Sequence, residues 1–178
     1  MIVFSKAIIK VMEIKCVQCG AKIEIAPETG FISCPYCDSR LYVDIEQTVR
    51  HLYLKPKLNP QQLTGIIAQS LAPLELKNPA KIIESRLFFL PFWLVKLKNQ
   101  ILSFPAQELE FSELKNFKIP IAELLPYEPE IENKYQVEIP IVSLDDVMQR
   151  PELQALADRL EQTDLIHIPF YLLSYQVE

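Results

Sequence analysis

All four cysteines of the chain fall inside 22 residues, as Cys16-Val-Gln-Cys19 followed by Gly20 and as Cys34-Pro-Tyr-Cys37, with fourteen residues from Gly20 to Ser33 between the pairs. Thiolates are strong nucleophiles and soft metal ligands. Two CxxC pairs with no cysteine elsewhere read as one tetrahedral four-thiolate site in preference to two disulfides. Each pair forms a tight knuckle whose backbone amides point at the sulfurs. Gly20 supplies the positive φ that closes the first turn, and Asp38 holds the same place after the second, where an aspartate tolerates left-handed backbone better than most residues. Pro35 stiffens the second knuckle. Zn2+ is the expected ion at Cys16, Cys19, Cys34 and Cys37, with iron as the alternative because the two share such thiolate sites. Four protein ligands leave no open coordination position, so the expected role of the metal is structural.

The elements that must position these thiols are short strands. Ala21-Lys-Ile-Glu-Ile alternates polar and apolar, Pro27-Glu-Thr-Gly30 is a turn, and Phe31-Ile-Ser leads back to Cys34. This predicts a β-hairpin between the knuckles, with Arg40 to Ile45 as a third strand. On these residues the segment from Glu13 to Ile45 resembles a zinc ribbon of the rubredoxin-like type, which places a ribbon domain at residues 13–50 after an N-terminal extension at 1–12. Its charged residues are mostly acidic, a poor match for phosphate.

Beyond the ribbon, residues 53–178 read as an α+β domain of two diverged pseudo-repeats, about 53–106 and 137–178. Leu87-Phe-Phe-Leu-Pro91-Phe92-Trp93-Leu94 matches Leu165-Ile-His-Ile-Pro169-Phe170-Tyr171-Leu172, an offset of 78, and Tyr53-Leu-Lys-Pro56 matches Val137-Glu-Ile-Pro140, an offset of 84. Each unit predicts a short strand, a helix cap, helical segments and a long strand. Asn59-Pro60 caps a helix over Gln61 to Leu71, and Ser143 with Asp146 makes a capping box. Further helices are expected from Pro79 to Arg86, with Asn78 as cap, and from Pro151 to Gln162. The first long strand is expected to turn at Lys98-Asn99 into a hairpin partner, Gln100 to Phe104. The second ends without such a partner, so Leu165 to Val177 is expected either at an edge or paired outside its own half, with the first half or with a second chain. Proline removes a ladder donor, so Pro91, Pro120, Pro140 and Pro169 predict edges or bulges in place of an ordinary central sheet. The aromatic residues Phe88, Phe89, Phe92 and Trp93 are expected in the core.

Taken together, the cysteine motif and the later strands of the form hydrophobic-Pro-Phe-aromatic resemble uncharacterised bacterial zinc-ribbon proteins. Only the cysteine motif in that resemblance is specific, and it implies no activity. It does imply that Met12, in Met12-Glu-Ile-Lys-Cys16, is the initiator, and the second repeat leaves open that the full product is longer.

Composition narrows the function. With 18 Lys and Arg against 23 Asp and Glu the net charge is -5, and no basic run offsets it, so nucleic-acid binding is not expected. The three glycines stand far apart, which excludes glycine-rich phosphate loops. Residues 1–12 lack a signal cleavage site and no stretch is long enough to span a membrane, so a cytoplasmic location is expected. His51 and His167 are the only histidines, and His167, inside an apolar strand, reads as a satisfied or edge residue. The carboxylate pairs Glu108/Glu110 and Glu128/Glu130 read as solvated faces. No catalytic constellation stands out. The expected function is a non-catalytic zinc-binding protein with a protein partner or homo-oligomer; rubredoxin-like electron transfer and a nucleic-acid-associated ribbon factor are the alternatives.

Overall fold

A computed structural model describes residues 12–26, 30–44, 47–71, 81–108 and 119–176. The expected N-terminal extension before Met12 lies outside the described residues. In chain order the elements are β1 (Met12–Lys15), β2 (Lys22–Ile25), β3 (Gly30–Ser33), β4 (Arg40–Asp44), β5 (Gln47–Leu54), α1 (Pro60–Leu71), β6 (Lys81–Leu97), β7 (Gln100–Pro105), β8 (Leu124–Pro126), β9 (Gln136–Val137), α2 (Leu144–Met148), α3 (Pro151–Gln154) and β10 (Leu160–Gln176). β1 and β2 form a small antiparallel sheet. The other strands form one large sheet in the order β3-β4-β5-β10-β6-β7, with β8 beside β5 and β9 beside β6. The fold therefore contains both strands and helices, as expected, but strands dominate.

The two capping signals are realised as hydrogen bonds. The Gln62 N–H donates to Asn59 Oδ1 while the Asn59 N–H donates to Gln62 Oε1, both at 2.9 Å, opening α1. Ser143 Oγ accepts from the Asp146 N–H at 3.0 Å at the start of α2, and the Asp146 carboxylate reaches back to the Ser143 N–H. These motifs need only residues within one turn of each other, which is why they are readable locally. The Lys98-Asn99 turn also joins β6 to β7 in the expected hairpin, Leu97 pairing with Gln100.

Three expectations are corrected. The hairpin does not run between the knuckles: β2 pairs with β1 and β3 with β4. Each CxxC is itself the reversal of a hairpin, so its flanking strands are already adjacent; the proposed turn at residues 27–29 lies outside the described residues. The segment from Lys81 to Arg86 is strand and not helix, because it continues β6 in a ladder with β10 that passes a register shift at Ile83 and extends to Gln176; Asn78 and Pro79 lie outside the described residues. The helix expected from Pro151 to Gln162 stops at Gln154, gives way to a 3-10 turn at Ala157–Arg159, and becomes β10 at Leu160. Leu153 anchors this short helix in the core, whereas Ala157 and Leu160 are exposed.

The prolines are a fourth difference. β10 lies between β5 and β6, and β6 lies between β10 and β7, so Pro91 and Pro169 sit in central strands. Pro91 pairs with His167, and Pro169 with Phe89. The Pro91 carbonyl accepts from the Ala106 N–H and the Phe89 carbonyl from the Glu138 N–H. Within a strand, the N–H and C=O of one residue point to the same side. Pro91 therefore faces away from β10, into the gap between β7, which pairs as far as Phe92, and β9, which pairs only with Phe88 and Phe89. By the same alternation Pro169 faces the β5 side, two residues past the last β5 pair, Tyr53 with His167. Neither missing donor interrupts a ladder.

The sheet buries apolar residues on both faces. On one, Val49, Trp93, Val95, Leu97 and Leu165 pack under Leu144, Val147 and Leu153 of the short helices. On the other, Phe92, Leu94, Ile166 and Ile168 pack with Leu52, Leu54 and Leu124. The expected aromatic strip is thus split by strand alternation: Phe89, Phe92 and Trp93 are fully buried, with Phe92 and Trp93 on opposite faces. Trp93 Nε1–H donates to the Val142 carbonyl at 2.8 Å, which satisfies its buried polar atom. α2 is also tied to the ribbon strands, since the nearly buried Asp44 of β4 accepts the Leu144 N–H at 2.7 Å. Asp44→Ala is expected to leave that amide unpaired and to cost about 1–3 kcal/mol, read as a lower urea midpoint with an unchanged slope.

Candidate metal centre

The two knuckles are built alike. In the first, the Cys16 N–H donates to the Ala21 carbonyl and the Gly20 N–H to the Cys16 carbonyl, both at 2.8 Å. In the second, the Cys34 N–H donates to the Ser39 carbonyl at 2.9 Å and the Asp38 N–H to the Cys34 carbonyl at 3.0 Å. Gly20 has φ 75° and Asp38 φ 56°, the left-handed backbone expected at both turns. The Gln18 N–H points at Cys16 Sγ at 3.4 Å, and the Ser39 hydroxyl lies 3.1 Å from Cys37 Sγ.

These turns bring the four expected ligands together. All four sulfurs lie within 4.8 Å of one another, with Cys16 to Cys37 and Cys19 to Cys34 both at 3.8 Å. A tetrahedron with metal–sulfur bonds of about 2.3 Å has edges of about 3.8 Å, so the sulfurs are spaced to take one ion. A disulfide needs about 2.05 Å and would collapse this arrangement. Cys16 and Cys34 are buried, while Cys37 is half-buried and Cys19 exposed. Without a cation the thiols differ sharply in acidity. The Ser39 hydroxyl and N–H draw Cys37 down to about 6. The Ala21 N–H favours the Cys19 thiolate, but desolvation and the thiols of Cys37, Cys16 and Cys34 outweigh it and push Cys19 up to about 12. A bound cation removes that conflict, because it stabilises all four thiolates at once.

The cysteine-bearing hairpins have a small apolar core of their own. Ile14 and Ile23 from the β1–β2 hairpin pack on Leu41 and Val43 of β4, together with Cys16 and Cys34. Thr48 Oγ–H donates to the Lys15 carbonyl at 2.6 Å and ties β1 to β5. Since β3 and β4 are strands of the large sheet, the four-thiol cluster is fixed to it through β4 and β5.

Two polar clusters sit on opposite faces of the sheet beside the ribbon, and neither stood out in the sequence. His51 Nε2 and His167 Nδ1 are 2.7 Å apart in a hydrogen bond, and His167 Nε2–H donates to the Glu138 carbonyl at 2.9 Å. Both imidazoles are buried; His51 stacks on Tyr127 with ring centres 3.7 Å apart, and on Phe31 at 4.5 Å. Burial, and then the neighbouring His167, push His51 down to about 2, and burial pushes His167 down to about 4. The reading of His167 as a satisfied histidine agrees with these bonds, but it is interior and not at an edge. On the other face, Arg50 donates from Nε and Nη2 to the two oxygens of Asp164, at 2.8 and 2.7 Å. Their partners are more than 110 residues apart in the chain, and no local pattern links them. A faint signal exists: Arg50 and His51 are adjacent in β5, and Asp164 and His167 are three residues apart in β10, both odd separations that put the two members on opposite faces.

The carboxylate pairs add nothing to the site. Glu108, Glu128 and Glu130 are exposed, and Glu110 lies outside the described residues. Among the described residues no helix is long and apolar enough to cross a membrane. Comparison of the chain with models of protein families, with characterised proteins and with solved structures gives no match.

Proposed function

We propose that this chain is a non-catalytic zinc protein in which the metal holds a ribbon against the edge of a large sheet, and that the sheet serves as a protein-interaction module. The observation that carries the reading is the closed set of four thiols at tetrahedral spacing, which leaves no ligand position for chemistry. The interaction role is supported by the outer ends of β6 and β10. Among the described residues these pair only with each other from Lys81 to Leu87, and they expose Ile83, Leu172 and Tyr175. Open strand edges with apolar side chains suit pairing with another chain. Metal analysis of untagged protein is expected to give about one zinc per chain in colourless solution. Red protein with visible absorption would replace zinc by iron and favour electron transfer; metal-free, stably folded protein would remove the reading. The same preparation is expected to show no salt-dependent binding to random nucleic acid by anisotropy, given the net charge of -5.

The reading extends to the origin of the sheet, which we infer to be a duplicated unit. Tyr53 of β5 pairs with His167 of β10, and Val137 of β9 pairs with Phe89 of β6, both in parallel. The sequence match equates Tyr53 with Val137 and His167 with Phe89, so the two pairings are equivalent under it. Each short strand thus lies against the long strand of the other unit, and the two long strands pair antiparallel with each other.

A further inference from the structure

A cleft opens on the sheet face that carries Arg50. Two cavities of about 860 and 450 Å3 share Gln18, Arg50, Gln162 and Asp164 on their borders and form one continuous depression beside the second knuckle. The larger lies within the usual size range of small-ligand sites. Its floor is a preorganised polar group. Asp164, 3% exposed, receives Nε and Nη2 of Arg50 and both oxygens also accept from Gln162 Nε2 at 2.8 Å. With its oxygens taken, the carboxylate has little acceptor capacity left. The guanidinium is held side-on, so its outer edge, Nη1 and the second N–H of Nη2, has no partner among the described residues.

Across the depression the charges balance: Arg40, Arg50 and Lys96 stand against Asp38, Asp164 and Glu161, and Lys96 pairs with Glu161 at 3.4 Å, which leaves the outer edge of Arg50 as the fixed cationic donor. Leu52, Leu94, Ile121 and Leu124 form an apolar wall on one side, and Gln18, Ser39 and Gln162 add neutral polar groups to the lining. A fixed guanidinium edge is matched by a planar, two-oxygen anion. A single fixed guanidinium edge beside aliphatic side chains, with no further unpaired cation in the lining among the described residues, suits a monoanion with an apolar body and not a polyphosphate.

We propose that the cleft binds an organic carboxylate carrying an apolar chain, with the carboxylate on the outer edge of Arg50 and the chain along Leu94, Leu124 and Ile121. The assignment does not depend on which metal the thiols hold. Octanoate titrated into the full chain and followed by backbone amide NMR tests it, with octanamide as the neutral isostere. Saturable shifts are expected around Arg50, Leu94 and Gln162, with octanamide weaker by about tenfold or more. A peptide with an apolar C-terminal residue, compared with its C-terminal amide, tells a peptide source of the carboxylate from a free acid; tighter carboxylate-dependent binding of either supports the class. Arg50→Gln is expected to weaken octanoate by about tenfold or more. Should that variant fail to fold because Asp164 is left unpaired, Ile121→Glu in the cleft wall is expected to abolish binding while Leu125→Glu, exposed outside it, retains binding. No saturable shift up to about 10 mM octanoate, equal binding of octanoate and octanamide, shifts mapping away from the cleft, or loss with Leu125→Glu alone would each overturn the proposal.

Discussion

Cys34→Ser is expected to abolish stoichiometric metal binding and to unfold both knuckle hairpins. Cys34 is fully buried and packs with Cys16 among Ile14, Ile23, Leu41 and Val43, flanked by the half-buried Met12, Ile25 and Ile32. So small a core does not order two hairpins without help, and in modules of this kind the binding free energy of the metal, about 10–16 kcal/mol in zinc-finger peptides, is folding free energy. The damage is expected to travel. Leu41 and Val43 belong to β4, whose other edge pairs with β5 from Gln47 to Arg50, and Asp44 at its end holds the first amide of α2. Hydrogen exchange should therefore show protection lost throughout β1–β4 and lowered in β5 and α2, with the β6–β10 ladder least affected. A net loss of about 4 kcal/mol corresponds to a fall in Tm of about 8–16 °C for a chain of this size. Chelation of the wild type should give the same exchange pattern, and Ser39→Ala, which removes only a hydroxyl near Cys37 Sγ, should lower metal affinity by about 10–100-fold without unfolding. Unchanged Tm and exchange in metal-free protein would show that the aliphatic core suffices.

Lowering the pH from 7 to 5 is expected to destabilise the fold by a mechanism separate from the metal. His51 and His167 are neutral in the folded protein because burial disfavours their charged forms, holding them at about 2 and about 4. In the unfolded chain each titrates near 6.5. Below that value the unfolded state binds more protons than the native state, so stability is fully present above about pH 6.5 and falls as the pH drops toward 4. The limiting slope is about 1.4 kcal/mol per pH unit for each histidine, or about 2.7 for the pair. Urea midpoints between pH 7 and 5.5 isolate this effect, since most carboxylates stay ionised there, provided metal content is checked in each sample. The double variant His51→Gln/His167→Gln should lose the slope in that window even if it is less stable at pH 7. A wild-type midpoint independent of pH from 7 to 5.5 would mean that the imidazoles accept protons in the folded state.

The parts of this molecule legible in the linear chain are those whose partners are near neighbours. Both knuckles, the left-handed turns at Gly20 and Asp38, the capping boxes at Asn59 and Ser143, and the β6–β7 hairpin each depend on contacts within a few residues, and types and spacings state them directly. The clustering of the four thiols belongs here too, because a CxxC turn places its two sulfurs by itself and a group of four that could hold a metal needs only that two such turns meet. What the strands pair with is another matter. A strand carries two equivalent edges and no address, so β2 joins β1 instead of β3, and β10 enters the middle of the sheet. Proline reads as an edge signal only while its neighbours are unknown; once β9 and β7 leave a gap opposite Pro91, and β5 ends short of Pro169, its missing amide has no ladder to break. Lys81 to Arg86 is strand because β10 reaches it, not because of its own propensity. The same holds for chemistry. His51 with His167 and Arg50 with Asp164 are joined across more than 100 residues by the pairing of β5 with β10, and Asp44 with the Leu144 amide across 100 residues by the docking of α2 on the sheet. Burial then turns them from ordinary polar residues into a neutral imidazole pair, a fixed guanidinium and a helix cap, because the strength of a polar contact is set by the solvent that folding excludes.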